Sequence, residues 1–286
     1  MKTSFVAFLN KEGIACASDT DMTLYALSRQ EPVALAVNSY SPIPWDAIIN
    51  AYLQKGDIPL HEKFSDYAQD FANYLSTLKC QSSWKELTED EQNIIFLGFG
   101  TDDVFPWAVD TMVHYDAKEH HLTCDFPIAR GIDHQNATDF YTLSHFDNTQ
   151  TIIYGITDAA RKEVIDEHTQ LFEIYKQRIK EKVKDTRFEE VVLRTLEEYD
   201  PEMEFAAKTF GWSDKQLGRI HTALDFFNME DLVKVAENFV DAKVQLDHLK
   251  DGGKGELHYT KELAVITRTE GLVWIKHCLY GNLFSN

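Results

Sequence analysis

The chain has 286 residues, of which 44% are hydrophobic and 12% aromatic, and it carries a formal net charge of −19. This length and composition are typical of a folded protein with a sizeable buried core. The negative charge argues against nucleic-acid binding, which requires basic surface stripes, and against binding to anionic membrane surfaces.

Cysteine usage and hydropathy indicate the compartment. The four cysteines, Cys16, Cys80, Cys124 and Cys278, are scattered and lack the paired spacing of a metal site. This usage suits a reducing cytosol. No stretch approaches the roughly 18 apolar residues of a membrane span, and the first residues do not have the pattern of a signal peptide. The sequence therefore predicts a cytoplasmic protein that does not bind membranes.

The first stretch of the chain predicts a β-hairpin. Two apolar runs of strand length, Phe5–Leu9 and Ile14–Ala17, flank a short polar turn. Gly13 in this turn can take the positive φ that a tight hairpin loop needs. The hairpin would bring Asp19 back to the start of the chain, beside the hydroxyl group of Thr3.

The rest of the chain predicts strands, two helices, further strands, and then helices followed by a last hairpin. Predicted strands cover 24–28, 33–37, 94–97, 109–115, 121–126, 151–154, 263–266 and 272–275. Predicted helices begin at Pro44, span 59–78, 158–184 and 188–199, follow the N-cap Ser213, and begin again near Met229. Residues 130–149 are polar and are predicted to form a loop. Because there is no internal repeat or linker, we expect one α+β domain over 1–286, with a helical insertion at about 157–212.

The opening stretch resembles the start of proteasome β-type subunits and their bacterial relatives, the N-terminal-nucleophile hydrolases. Members of this family begin with a threonine, continue through two strands, and reach an alanine-rich segment that ends in aspartate. Its counterpart here is Ala17-Ser18-Asp19, and the spacing from Thr3 to Asp19 matches the family's spacing from nucleophile to aspartate. Other segments resemble an uncharacterised bacterial branch of the fold: Pro44–Ile49, Asn93–Gly100 followed by Phe105-Pro106, Asp231–Val240, Gly252-Gly253, Ala264–Ile266 and Gly271–Lys276.

The resemblance implies a four-layer αββα sandwich, in which two antiparallel sheets pack face to face and helices cover them. It also implies the catalytic parts. A free N-terminal threonine supplies a hydroxyl nucleophile and an α-amine base, whose pKa is about 7.7–8.0 in model compounds. A lysine on a following strand lowers the pKa of the hydroxyl, and an aspartate holds that lysine. The resemblance thus assigns the nucleophile to Thr3 and the aspartate to Asp19.

Two features of the chain depart from this pattern. Lys2 precedes Thr3, and removal of an initiator methionine acts before small residues, so an unprocessed Thr3 would carry an amide instead of an amine. Residues 20–37 contain no lysine, and their one cation, Arg29, cannot be deprotonated. Enzyme activity is therefore left open.

Three functions remain as alternatives. The first is a catalytically degenerate proteasome-like subunit, which forms a homo-oligomer or binds a protein partner as an assembly component. The second is a threonine peptidase or amidase that processes itself to expose Thr3. The third is a binding or scaffold module that acts through its helical region.

No metal or cofactor site is expected. The adjacent residues His120 and His121 would point to opposite faces of a strand, which prevents them from binding one ion together with His114. Ser4 and Cys16 are weaker candidates for the nucleophile than Thr3. Cys16 falls within a predicted buried strand and is expected to belong to the core.

Overall fold

The structure is a computed structural model, described here for residues 4–19, 22–28, 30–38, 41, 43–55, 60–78, 92–116, 121–125, 128–133, 137–144, 152, 158–183, 189–198, 218–250, 252 and 261–276. These residues form a mixed α+β structure with two antiparallel sheets, which confirms the predicted class. The chain divides into two compact units: Met1–His145 with His221–Asn286, and Phe146–Ile220. The single domain with an insertion at about 157–212 stays a prediction.

The larger unit contains all the strands described. They are β1 (Ser4–Asn10), β2 (Gly13–Ser18), β3 (Met22–Ala26), β4 (Val33–Asn38), β5 (Gln92–Gly98), β6 (Trp107–Asp116), β7 (His121–Cys124), β8 (Ile128–Gly131), β9 (Thr138–Ser144), β10 (Glu262–Thr267) and β11 (Gly271–Lys276). Sheet A has the order β11-β10-β2-β1-β9, and sheet B has the order β3-β4-β5-β6-β7, with β8 also paired to β6.

The described helices of this unit are α1 (Trp45–Gln54), α2 (Phe64–Thr77) and, near its C-terminal end, Met229–Lys250. The smaller unit contributes α3 (Asp158–Val183) and α4 (Glu189–Glu198), which contact each other. In chain order Met229–Lys250 is therefore α5. A further short helical segment covers 218–226.

The predicted hairpin is confirmed and lies inside sheet A. β1 and β2 pair antiparallel, from Phe5 opposite Ser18 to Asn10 opposite Gly13. Both faces of β1 are buried, because Phe5 belongs to the core shared by the two sheets and the ring of Phe8 lies 6.0 Å from that of Phe239 on α5. Burial on both faces explains why the sequence is a continuous apolar run instead of an alternating one.

The core between the sheets combines large apolar side chains with several small ones on the two facing surfaces. Ala7 and Cys16 on sheet A join Ala34, Ala36 and Ala108 on sheet B in one buried cluster. On its other face, sheet B packs against α1 and α2, where the rings of Phe71 and Phe96 meet edge to face at 5.7 Å. The two predicted helices after the first strands therefore cover the outer face of sheet B.

Helix α5 packs on the outer face of sheet A, against β1, β2 and β10. Its first turn is fixed by two side chains: Asn228 Oδ1 accepts a hydrogen bond from the N–H of Asp231 at 2.9 Å, and Glu12 Oε2 accepts one from the N–H of Met229 at 3.2 Å. Glu12 lies in the hairpin turn. The turn thereby sets where α5 begins on the sheet.

The buried side chain of Asn10 anchors the same turn. Its Nδ2 donates hydrogen bonds to the carbonyl oxygens of Leu224 at 3.1 Å and Phe227 at 2.7 Å, and its Oδ1 accepts one from the N–H of Glu12 at 2.9 Å. A buried amide with these three bonds avoids the cost of an unpaired polar group. Asn10 therefore joins the hairpin to the end of the segment 218–226.

Three predictions of local structure are wrong. Of the strand predicted at 151–154, the structure describes residue 152, and that residue is helical. The segment 130–149 was predicted to be a loop, but β9 lies within it and pairs with β1 along the full length of that strand. Helix α2 begins at Phe64 and not at residue 59. Asp103 Oδ2 accepts hydrogen bonds from the N–H of Phe64 at 2.9 Å and of Gly100 at 2.8 Å, so the start of α2 is fixed by a distant loop.

Gly13 provides a test of how closely the strands approach at the turn. Its φ is +156°, and a Cβ there would lie 2.5 Å from the carbonyl oxygen of Ile266 on β10. We expect Gly13→Ala to lower the free energy of unfolding by about 1–3 kcal/mol, because strained backbone conformations cost that much. Urea denaturation measures the change. Gly218→Ala is the control, since no atom lies within 4 Å of its added Cβ; an equal effect of both substitutions would contradict the account.

Candidate functional site

The end of the hairpin opposite its turn holds the predicted site. Asp19 follows Ser18, which pairs with Phe5, so the hairpin returns Asp19 to the end where β1 begins. Asp19 is buried, with 6% of its surface exposed, and it has at least one interaction partner. Thr3 lies outside the described residues, so its role beside Asp19 stays a prediction.

Polar side chains replace the apolar core between the sheets at this end. Ser18 faces the same side of β2 as Ile14 and Cys16, and Glu262 pairs with Ser18 on the neighbouring strand. Both are buried. Within the described residues, the Oγ of Ser18 has no hydrogen-bond partner. The space between the sheets therefore ends in a buried hydroxyl and a buried carboxyl group.

Tyr25 lies on β3 and packs on the side of sheet B that faces α1 and α2. Its hydroxyl group donates a hydrogen bond of 2.6 Å to Asp46 Oδ1. Burial raises the pKa of Tyr25 well above its usual value, and the hydrogen bond to Asp46 and the charges of Asp46 and Glu262 raise it further. Tyr25 is thus a protonated donor to Asp46.

A buried lysine lies on helix α5. Lys243 has 1% of its side chain exposed, and its Nζ is 3.3 Å from Asp247 Oδ2. Helix α5 starts at the hairpin turn, and the ring of its Phe239 lies beside that of Phe8 on β1. Lys243 follows Phe239 by four residues, which is about 6 Å along the helix at 1.5 Å per residue. The same direction carries Lys243 and Asp247 toward the end where Asp19 lies. Sequence analysis missed this buried cation. The sequence does contain a sign of it, because Lys243 occupies a position on the apolar stripe of the helix.

A second lysine joins α5 to the start of β10. The Nζ of Lys261 lies 2.7 Å from Glu237 Oε1 and 2.9 Å from Asp241 Oδ1. Burial would lower the pKa of Lys261, but the hydrogen bonds to the two carboxylates and their charges outweigh it, so the pKa is raised. The stabilisation is therefore fully present below the pKa of about 10.4 of an unfolded lysine and is lost as the pH rises through the folded pKa.

The other candidates from the sequence do not form a site. Cys16 is fully buried, and burial raises the pKa of its thiol far above the usual value, so it is not an accessible nucleophile. His114 Nε2 lies 3.0 Å from Asp125 Oδ1. Among the described residues, no three histidine, cysteine or acidic side chains are grouped as metal ligands would be.

This end of the molecule can be compared with the catalytic parts that the family resemblance implies. It contains a buried carboxyl group at Asp19, but the strands that follow Asp19, β3 and β4, contain no lysine. The buried cation of the described region is Lys243, which lies on a helix and is paired with Asp247. The hairpin and Asp19 are therefore followed by two strands, β3 and β4, that carry no lysine.

Comparison of the chain with models of known protein families gives no match, and comparison with curated proteins gives none either. In the described part of the chain, no helix is both long and apolar enough to cross a membrane. The assignment of a function therefore depends on the residues and topology given above.

The pair formed by Lys243 and Asp247 makes a prediction about stability. We expect Lys243→Met to lower the free energy of unfolding by about 3 kcal/mol, because Asp247 loses its cation inside the protein. Adding Asp247→Leu should restore about 1 kcal/mol or more. Chemical denaturation of both variants measures the difference.

The control is Lys234→Met, because Lys234 pairs with Glu230 at the same helical spacing and 2.7 Å but both side chains are exposed. We expect little change there. If Lys243→Met is no less stable than Lys234→Met, the stabilising role given to the buried Lys243 is contradicted.

Proposed function

We propose that the chain is a proteasome-like subunit of the N-terminal-nucleophile fold that has lost peptidase activity and acts as an assembly or interaction component. The proposed architecture is the four-layer αββα sandwich. The observation that carries the proposal is the buried hairpin of β1 and β2, which is followed directly by the buried Asp19. Further support comes from α5 on the outer face of sheet A and from α1 and α2 on that of sheet B.

The proposed loss of activity follows from the parts that threonine catalysis requires. A nucleophilic threonine needs its own free amine as base, and the chain contains Lys2 ahead of Thr3. It also needs a cation that lowers the pKa of the hydroxyl, and β3 and β4 contain no lysine. Lys243 is no simple replacement, because it belongs to a helix and is paired with Asp247.

The remaining role is assembly. We propose that the chain forms a homo-oligomer or binds a protein partner, and that it does so in the cytoplasm. The cytoplasmic assignment is supported by the scattered cysteines, of which Cys16 and Cys124 are free. An insertion at about 157–212 in a single proteasome-like domain would give the assembly surface.

The alternative is a threonine peptidase or amidase that cleaves its own chain ahead of Thr3. The burial of Asp19 at the end of the hairpin favours this alternative, because an active site of this class needs an aspartate at that position. Self-cleavage would create the free amine that Thr3 lacks in the intact chain. The two proposals therefore differ in the mass of the purified protein.

The test combines intact-mass spectrometry with a peptidase assay on the full chain. We expect the mass to include Lys2, and we expect turnover of a panel of fluorogenic peptides with acidic, basic and apolar residues to equal that of a Thr3→Ala variant. A chain that begins at Thr3, with hydrolysis that Thr3→Ala abolishes and Thr3→Ser partly retains, would contradict the proposal and establish the alternative.

A further inference from the structure

Helix α3 exposes a line of large apolar side chains, which we call the α3 stripe. Between 36% and 58% of each side chain is exposed in Val164, Leu171, Ile174, Tyr175 and Ile179. At 3.6 residues per turn, these positions fall within an arc of about 140°. The helix has 26 residues and is therefore about 39 Å long at 1.5 Å per residue. This length is sufficient for an extended helix–helix contact.

The stripe is more than a scatter of single exposed residues. Five of the twelve exposed large apolar side chains in the described part of the chain lie on this one helix. Single exposed apolar residues are normal on a protein surface, but a continuous patch usually marks a contact with another molecule. The α3 stripe therefore has the character of an interface.

Charges along the helix point to the kind of partner. In the first half, Glu163 lies at one edge of the stripe and Glu167 just inside that edge. In the second half, Arg178 lies just inside the same edge and Lys182 near the middle of the stripe. All four are exposed. Like charges at a spacing of four residues destabilise a helix, and each half carries one such pair. Opposite charges from a partner would relieve both.

An antiparallel second copy of α3 supplies these charges in a single register. The alignment that sets Glu167 opposite Arg178 also sets Glu163 opposite Lys182, because each pair has the same midpoint along the helix. The same alignment sets Leu171 opposite Ile174 at the centre, as in the seam of a coiled coil. A parallel pair aligned in register would bring the two glutamates against themselves.

We propose that the α3 stripe is a self-association surface, on which the same helix of a second copy packs in the antiparallel direction. The contact is isologous, so each copy contributes the acidic half and the basic half once. The inference rests on the assembly part of the proposed function and names the partner that this part leaves open. It does not depend on the state of Thr3.

Charge reversal tests the register. The acid-reversed variant carries Glu163→Lys and Glu167→Lys, and the base-reversed variant carries Arg178→Glu and Lys182→Glu. In a dimer formed by either variant alone, every charged contact between the two α3 helices joins like charges. We therefore expect the dimer dissociation constant of each variant to rise roughly tenfold or more. An equimolar mixture restores every opposite pair and should dimerise within about threefold of the unaltered chain. Native mass spectrometry distinguishes the mixed dimer, and sedimentation gives the constants.

Two further readouts separate this surface from a general effect of charge. Raising the salt concentration should weaken the unaltered dimer and strengthen each reversed one, because salt screens attraction and repulsion alike. Glu173 is exposed and lies on the side of the helix away from the stripe, so Glu173→Gln and Glu173→Lys should leave the constant unchanged. Leu171→Glu should abolish the dimer, with circular dichroism to check that the helix content is retained.

The outcomes are distinct. A dimer or larger assembly that survives both charge reversals and Leu171→Glu would overturn the α3 stripe as its interface and leave the assembly proposal standing. A monomer at all concentrations would overturn both. Neither result bears on the peptidase assay, so the loss of activity is tested separately.

Discussion

The structure depends on the pairing of β1 and β2 inside sheet A. These two strands are buried on both faces, by sheet B on one side and by α5 on the other. A slip of one residue would exchange the side chains of the two faces, so the register is strongly specified. That register carries Asp19 to the start of β1 and sets Ser18 beside Glu262. The turn also fixes α5, through Glu12 at its first residue and Asn10 beside the preceding segment.

Much of this fold could be predicted from local sequence. The hairpin, α1, α3, α5 and the closing pair of β10 and β11 each have an apolar pattern of the right period and length. Strand β9 could not be predicted in this way. Its residues are mostly polar, and it becomes a strand by pairing with β1, which lies more than a hundred residues earlier. The start of α2 escaped prediction for a similar reason, since Asp103 fixes it from a different part of the chain.

The site was predictable only in part. Asp19 follows from the length of the two strands and the turn, all of which are local. Glu262 could not be placed, because it meets Ser18 only through the pairing of β10 with β2. Lys243 could not be placed either, since a lysine on an apolar stripe usually extends its charged end into water. Here it has 1% exposure and Asp247 as partner, which only the packing of α5 on the sheet determines.

The proposed function starts from the buried hairpin, on which the rest of sheet A is built. The central structural claim is that this hairpin is the most protected element among the described residues. Native-state amide hydrogen exchange tests this directly. We predict that the amides of Val6, Phe8 and Cys16 exchange only through global unfolding, because pairing on both sides and burial protect them. Exchange at these positions as fast as in β11, whose side chains are partly exposed, would contradict the account.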